Sequence, residues 1–148
     1  MQTTQASPTT TVREIMTKNP LALPETASAA QAARAMRDAH IGVVLIHDRN
    51  DQLAGLVTDR DIVVRAIASG EDPRHVPLSR ISSKPEHKLE PTDTVGRAVE
   101  LMSQANIRRI PVVEDGGRCV GIVSLGDLAV ARDPNSALGK ISGAPSNN

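Results

Sequence analysis

Ala29, Ala32, Ala33 and Met36 recur at the i, i+3, i+4, i+7 spacing of one helix face, and Val95, Ala98, Val99 and Met102 repeat that spacing 66 residues later. The pattern predicts two amphipathic helices, with Thr26 and Thr92 ahead of them as candidate N-caps. Behind the helices stand Ile41-Gly-Val-Val-Leu-Ile and Ile107-Arg-Arg-Ile-Pro-Val-Val, runs rich in β-branched residues and short enough to be buried strands. Polar turns follow at 48–52 and 114–118, the second holding Gly116-Gly117, a hairpin signal. Second strands are predicted over Leu53-Ala-Gly-Leu-Val and Cys119-Val-Gly-Ile-Val. Thr58-Asp-Arg-Asp and Ser124-Leu-Gly-Asp then open a further apolar helix, which ends near Gly70 in one half and before Asp133-Pro134 in the other. A Thr or Ser three residues ahead of an Asp is the signature of a helix capping box.

The two halves align at an offset of 66 residues without a gap, so the chain is an internal repeat of a strand, helix, strand, strand, helix unit. A unit of roughly 60 residues is too small to bury both faces of a three-stranded sheet, and two of them are expected to pack together. The fold class read from this is α+β: a pseudo-twofold pair with sheets facing, helices outside, and a ligand-sized cleft where strand ends of the two halves meet. The boundaries drawn are 12–72 and 73–132 for the two motifs, with flexible polar tails over 1–11 and 133–148.

Composition narrows the function. Seventeen basic residues balance seventeen acidic ones, so a charged ligand must be held by a local cluster rather than a net field. The absence of Phe, Tyr and Trp removes the platforms on which single strands stack, which argues against nucleic-acid binding. Cys119 is the single cysteine, and neither a secretory nor a membrane-spanning apolar run is present, which predicts a cytoplasmic protein. His40, His47, His75 and His87 lack metal-ligand spacing and read as surface residues; a metal on Cys119 needs tertiary or intersubunit proximity. No nucleophile–base pairing or metal box is visible, so no catalytic activity is expected.

The order of these elements resembles the cystathionine-β-synthase (CBS) domain family. The resemblance rests on Val12-Arg-Glu-Ile-Met-Thr-Lys-Asn-Pro, the helix with Met36, the strand Ile107-Arg-Arg-Ile-Pro-Val-Val, and the pair Gly55-Leu-Val-Thr-Asp-Arg-Asp and Gly121-Ile-Val-Ser-Leu-Gly-Asp. It covers residues 12–132 and implies a stand-alone pair of CBS motifs, also called a Bateman module. It further implies a regulatory sensor of adenosine-containing ligands, AMP, ADP or ATP and sometimes S-adenosylmethionine, that requires no cofactor and acts through a homodimer or a protein partner. A ligand-free dimeric interaction module of a stress response is the alternative.

Carried onto this chain, the resemblance assigns Thr58 and Asp61 in one cleft, and Ser124 and Asp127 in the other, to a ribose. The chemistry suits the role: a carboxylate accepts from both hydroxyls of a cis-diol, each charge-assisted bond contributing roughly 1.5–3 kcal/mol, and the helix start offers free N–H groups. Thr17, Asn19 and Pro20, with Ser83 and Pro85, are implied as cleft walls, and Ile41 and Ile107 or Ile110 as apolar contacts for a purine. Arg108 and Arg109 are the leading phosphate candidates, since adjacent residues on a strand point to opposite faces and at least one faces the cleft. Lys18, Arg60 and Lys84 follow. The halves differ where it matters, with Gly42-Val43 at the place of Arg108-Arg109 and Leu45 at that of Pro111, so the two clefts are not equivalent.

Overall fold

The structure, a computed structural model, describes residue 7 and residues 9–144; the remainder of the tails drawn at 1–11 and 133–148 lies outside the described residues. The chain forms α1 (Val12–Ile15), β1 (Thr17–Lys18), β2 (Ala22–Pro24), α2 (Ala29–Ala39), β3 (Val43–His47), β4 (Leu53–Thr58) and α3 (Asp59–Asp61), which runs on as a π-helix over Ile62–Ile67. After a 3-10 turn at Pro73–His75 come α4 (Leu78–Ile81), α5 (Val95–Ala105), β5 (Arg109–Val113), β6 (Cys119–Ser124), α6 (Leu125–Arg132) and α7 (Ala137–Gly143). The fold is α+β, with two three-stranded sheets, β2-β3-β4 and β1-β6-β5, and helices around them.

Two compact units divide the chain. The first takes residues 20–85 with 116–118, and the second takes the described residues up to Asn19, 86–115 and 119–144. Each repeat therefore lends its opening arm to the unit built on the other repeat. Val12 N–H donates to Asp93 O in the second unit, and Leu78 N–H donates to Ala27 O in the first, both at 2.8 Å. Val95 N–H to Thr10 O (2.7 Å) and Ala29 N–H to Val76 O (2.8 Å) complete the reciprocal pattern. The same register recurs at the strands: Thr17 opposes Ile122 in the second unit, and Ser83 bridges Leu56 in the first. Leu23 pairs in parallel with Ile46, while Leu89 makes a single parallel bridge to Val112, so the strand expected to open the second repeat shrinks to one residue.

Each unit has its own core on the helix side of its sheet. Met36, Val44, Ile46, Val57 and Leu78 are buried in the first, and Val12, Val95, Met102, Ile110 and Val123 in the second. Ala29, Ala32 and Ala98 are 0% exposed and let the helices approach their sheets without an aromatic residue to fill the space.

Four local expectations change. The caps of α2 and α5 are Ser28 and Thr94, whose hydroxyls each accept at 3.1 Å from Gln31 and Arg97 N–H; Thr26 and Thr92 lie two residues too early, because the helices begin at Ala29 and Val95. Ile41 and Ile107 precede their strands instead of opening them. His40 (φ 53°) and Asn106 (φ 52°) turn left-handed, and the next N–H bonds back to Met36 O and Met102 O, closing each helix. The helix after Thr58 is a π-helix, with Ala68 N–H bonded to Val63 O, where the β-branched run Ile62-Val63-Val64 crowds a regular turn; its counterpart α6 carries no such run. The segment drawn as a C-terminal tail carries α7, capped by Ser136, whose hydroxyl accepts Gly139 N–H at 3.0 Å.

Candidate functional site

The two short motifs build the same cap twice. In the first unit Thr58 Oγ1 accepts Asp61 N–H (3.1 Å) and Asp61 Oδ2 accepts Thr58 N–H (2.9 Å). In the second, Ser124 Oγ accepts Asp127 N–H (3.0 Å) and Asp127 Oδ2 accepts Ser124 N–H (2.9 Å). All four side chains are half-buried, and each carboxylate commits one oxygen to its cap. The other oxygen of Asp61 lies 3.7 Å from Arg65 Nε, whereas that of Asp127 has no donor among the described residues. Ser124→Ala removes the acceptor for Asp127 N–H and is expected to lower stability by about 1 kcal/mol in urea unfolding, with Ser124→Thr close to the parent.

Strand register decides what stands beside each cap. Residues directly opposed in an antiparallel pair share a face. Arg109 opposes Ser124, and Thr17 opposes Ile122, which in turn opposes Pro111. Thr17, Arg109 and Ser124 therefore share one sheet face, turned away from the core of the second unit, and the Arg109 side chain is exposed without a partner among the described residues. In the first unit the equivalent places hold Ser83, Val43 and Thr58. The site of the second unit thus has a guanidinium opposite its cap, and that of the first has an apolar side chain.

Alternation separates other candidates from these sites. Ile110, expected as an apolar wall for a base, is 0% exposed in the core of the second unit, because it follows Arg109 and points to the helix side. Arg108 and Ile107 line a groove between α5 and α6 on that helix side. Lys18 and Lys84 are exposed, each one residue beyond the position that shares the cap's face. Asn19 (φ 48°) ends β1 in the second unit; Pro20 and Pro85 are half-buried in the first unit, where Ile41 and Arg60 are exposed.

Two neighbours of the caps escaped sequence reasoning. A Cβ on Gly42 would stand 3.1 Å from Asp59 Oδ2, so a carboxylate occupies the first unit at the place corresponding to Arg108. A Cβ on Gly126 would stand 3.0 Å from Ser142 Oγ, which brings α7 against the first turn of α6. The glycine in Ser124-Leu-Gly-Asp was the available signal, since a glycine in a helical turn marks a close neighbour.

Among the described residues no cluster of three His, Cys, Asp or Glu is arranged to hold a metal ion, and no helix is long and apolar enough to cross a membrane. Cys119 is half-buried and its thiol donates to Gly121 O (3.2 Å); burial pushes its pKa up, leaving little thiolate at neutral pH.

The sequence pattern of the CBS domain matches residues 12–67 and again residues 78–133. Protein MK0525 of Methanopyrus kandleri is 35% identical over 116 residues, 78% of this chain, and the match spans 57% of that relative's own length. Hypoxic response protein 1 of Mycobacterium tuberculosis is 32% identical over 120 residues, 81% of this chain and 83% of that protein. A crystal structure of Hypoxic Response Protein I with two coordinated zinc ions gives a TM-score of 0.72 at 32% identity, over 81% of this chain and 97% of that one. CBS domain protein PAE2072 of Pyrobaculum aerophilum, solved in complex with AMP, gives a TM-score of 0.72 at 28% identity, over 88% of this chain and 95% of that one.

Proposed function

The chain belongs to the CBS-domain family, and from that premise we propose that it is a regulatory sensor of an adenosine-containing nucleotide of the AMP, ADP or ATP type. Regulation rather than catalysis is the general role of such CBS-domain proteins. The nucleotide is taken first at the Ser124–Asp127 site of the second unit. The free oxygen of Asp127 accepts from the ribose hydroxyls, Thr17 lies along the same face, and Arg109 meets the phosphate.

The observation that carries this reading is the pairing of Arg109 with Ser124 across β5 and β6. A guanidinium held opposite a cap offers a bidentate donor to a phosphate at a place where the other unit has only Val43. The relative complexed with AMP supports the choice of ligand class. Thr58 and Asp61 form the weaker site, since Arg65 lies near the oxygen that a ribose needs and Val43 stands where the other unit has a guanidinium. Occupation of the first-filled site signals through a homodimer or a protein partner.

Titration calorimetry with AMP, ADP, ATP, NAD and S-adenosylmethionine tests the proposal. The expected result is a first binding event near one nucleotide per chain, strongest among the phosphate-bearing ligands. No heat from any of them at millimolar concentration would overturn it.

A second reading, a ligand-free dimeric interaction module, is favoured by the closed capping boxes, in which Thr58, Asp61, Ser124 and Asp127 are already hydrogen-bonded to one another. Thermal unfolding separates the two readings. A nucleotide present at about 100 times its dissociation constant raises stability by roughly 2.7 kcal/mol, whereas a pair of simple caps gives no shift.

A further inference from the structure

Among the described residues, Arg65 is the cation that reaches a cap carboxylate. Its Nε lies 3.7 Å from Asp61 Oδ1, the oxygen that the cap leaves free, and its Nη1 donates to Ile81 O at 3.3 Å. The Asp61 side chain is 17% exposed and that of Arg65 49%, so the guanidinium stands on the solvent side of the carboxylate and covers it. Ile81 closes α4, and the last carbonyls of a helix have no partner inside it. One guanidinium therefore ties the end of the arm to the oxygen that a diol would need. Arg65 does so from the π-helix over Ile62–Ile67, which packs against α4 within the first unit.

The repeat supplies an internal control. At an offset of 66 residues, Asp61, Arg65 and Ile81 correspond to Asp127, Ala131 and Ile15. Ile15 closes α1, which packs against α6 as α4 packs against the π-helix. The second unit thus keeps the carboxylate and the helix end and lacks the guanidinium. The free oxygen of Asp127 has no donor among the described residues.

We propose that Arg65 is a built-in occupant of the diol position of the first unit, and that a ribonucleoside enters there by displacing it from Asp61 and Ile81. The inference rests on the reading of the two caps as ribose sites. The ligand class follows from what faces the cap: Val43 opposes Thr58 where Arg109 opposes Ser124 in the other unit, so the strand pair offers a diol acceptor and no phosphate donor. Displacement also has a sign of its own. A guanidinium that only closed α4 would leave ligand binding unchanged when removed, and one that received phosphate would weaken it. An occupant that must first leave makes binding tighter on removal, although a positive charge is lost.

The test titrates adenosine, 2′-deoxyadenosine and AMP into the full chain by calorimetry in an Asp127→Asn background, which weakens the site of the second unit so that the first is read. Giving up one ion pair and one hydrogen bond corresponds to roughly 3- to 70-fold in affinity, so Arg65→Ala in that background should bind adenosine about tenfold tighter than Asp127→Asn alone. Arg65→Met, which keeps a long side chain without a donor, should show the same gain, and urea unfolding reports separately any stability lost at the end of α4. 2′-Deoxyadenosine lacks the cis-diol and should gain much less, and adding Asp61→Asn should cancel the gain. Adenosine affinity unchanged in both Arg65 variants, or an equal gain for 2′-deoxyadenosine, would overturn the proposal. Weaker AMP binding by both variants would overturn it too, and would assign Arg65 to a phosphate. AMP titrated into the chain with Asp127 intact separates this failure from that of the nucleotide reading. A first event near one AMP per chain, with no adenosine gained on removing Arg65, overturns the occupant role alone; no heat from AMP or adenosine with any of the proteins overturns both.

Discussion

Leu78→Ala is expected to lower the unfolding free energy by about 2–5 kcal/mol, a large part of the 5–15 kcal/mol typical of a domain. Leu78 is 0% exposed in the core of the first unit although it sits in the arm that opens the second repeat. Its N–H is held by Ala27 O and its side chain packs among Met36, Ile46 and Val57, so truncation leaves a cavity that rigid strands on one side cannot close. Leu78→Met conserves volume and should cost less than about 1.5 kcal/mol. Urea unfolding followed by circular dichroism measures both. A loss below about 1 kcal/mol for Leu78→Ala would mean that the arm is a loosely held linker and that the exchange of arms contributes little.

Arg109→Ala is expected to weaken AMP binding by roughly 10- to 150-fold, the equivalent of losing a charge-assisted hydrogen bond of about 1.5–3 kcal/mol. Adenosine, which has no phosphate, should bind the variant as it binds the parent. That difference separates a phosphate contact from general damage to the sheet, since Arg109 is exposed. Asp127→Asn should weaken AMP and adenosine together while an amide oxygen still accepts Ser124 N–H and preserves the cap. Asp61→Ala should leave the first binding event in place, because its site has Val43 opposite the cap. Calorimetry on the four proteins decides the matter: AMP binding by Arg109→Ala at parental strength removes the phosphate role.

Much of the fold is legible in the chain because it is written twice. The stripes through Met36 and Met102 mark the helices, β-branched runs mark the central strands, and Thr58/Asp61 and Ser124/Asp127 mark helix starts, each through interactions within a few residues. The errors are of two kinds. Some are local, such as Ser28 and Thr94 taking the cap role expected of Thr26 and Thr92, where a helix start slid by two residues. The others concern contacts distant in sequence, which periodicity does not encode. Nothing near Val12 or Leu78 tells that each packs in the unit built on the other repeat, and a polar, glycine-bearing C-terminal segment gives little sign of α7.

The candidate site divides along the same line. Sequence alone determined that two caps exist, that each offers a carboxylate, and that an adjacent pair of arginines stands in the preceding strand run of only one of them, because capping boxes and residue identities are local properties. Only the tertiary structure decided which arginine shares the cap's face. Register pairs Arg109 with Ser124 and sends Arg108 to the groove between α5 and α6. A one-residue change of register would exchange their places, and register is fixed by burying Ile110, Val112 and Val123 on the helix side, a requirement of the packed core and not of the strand itself.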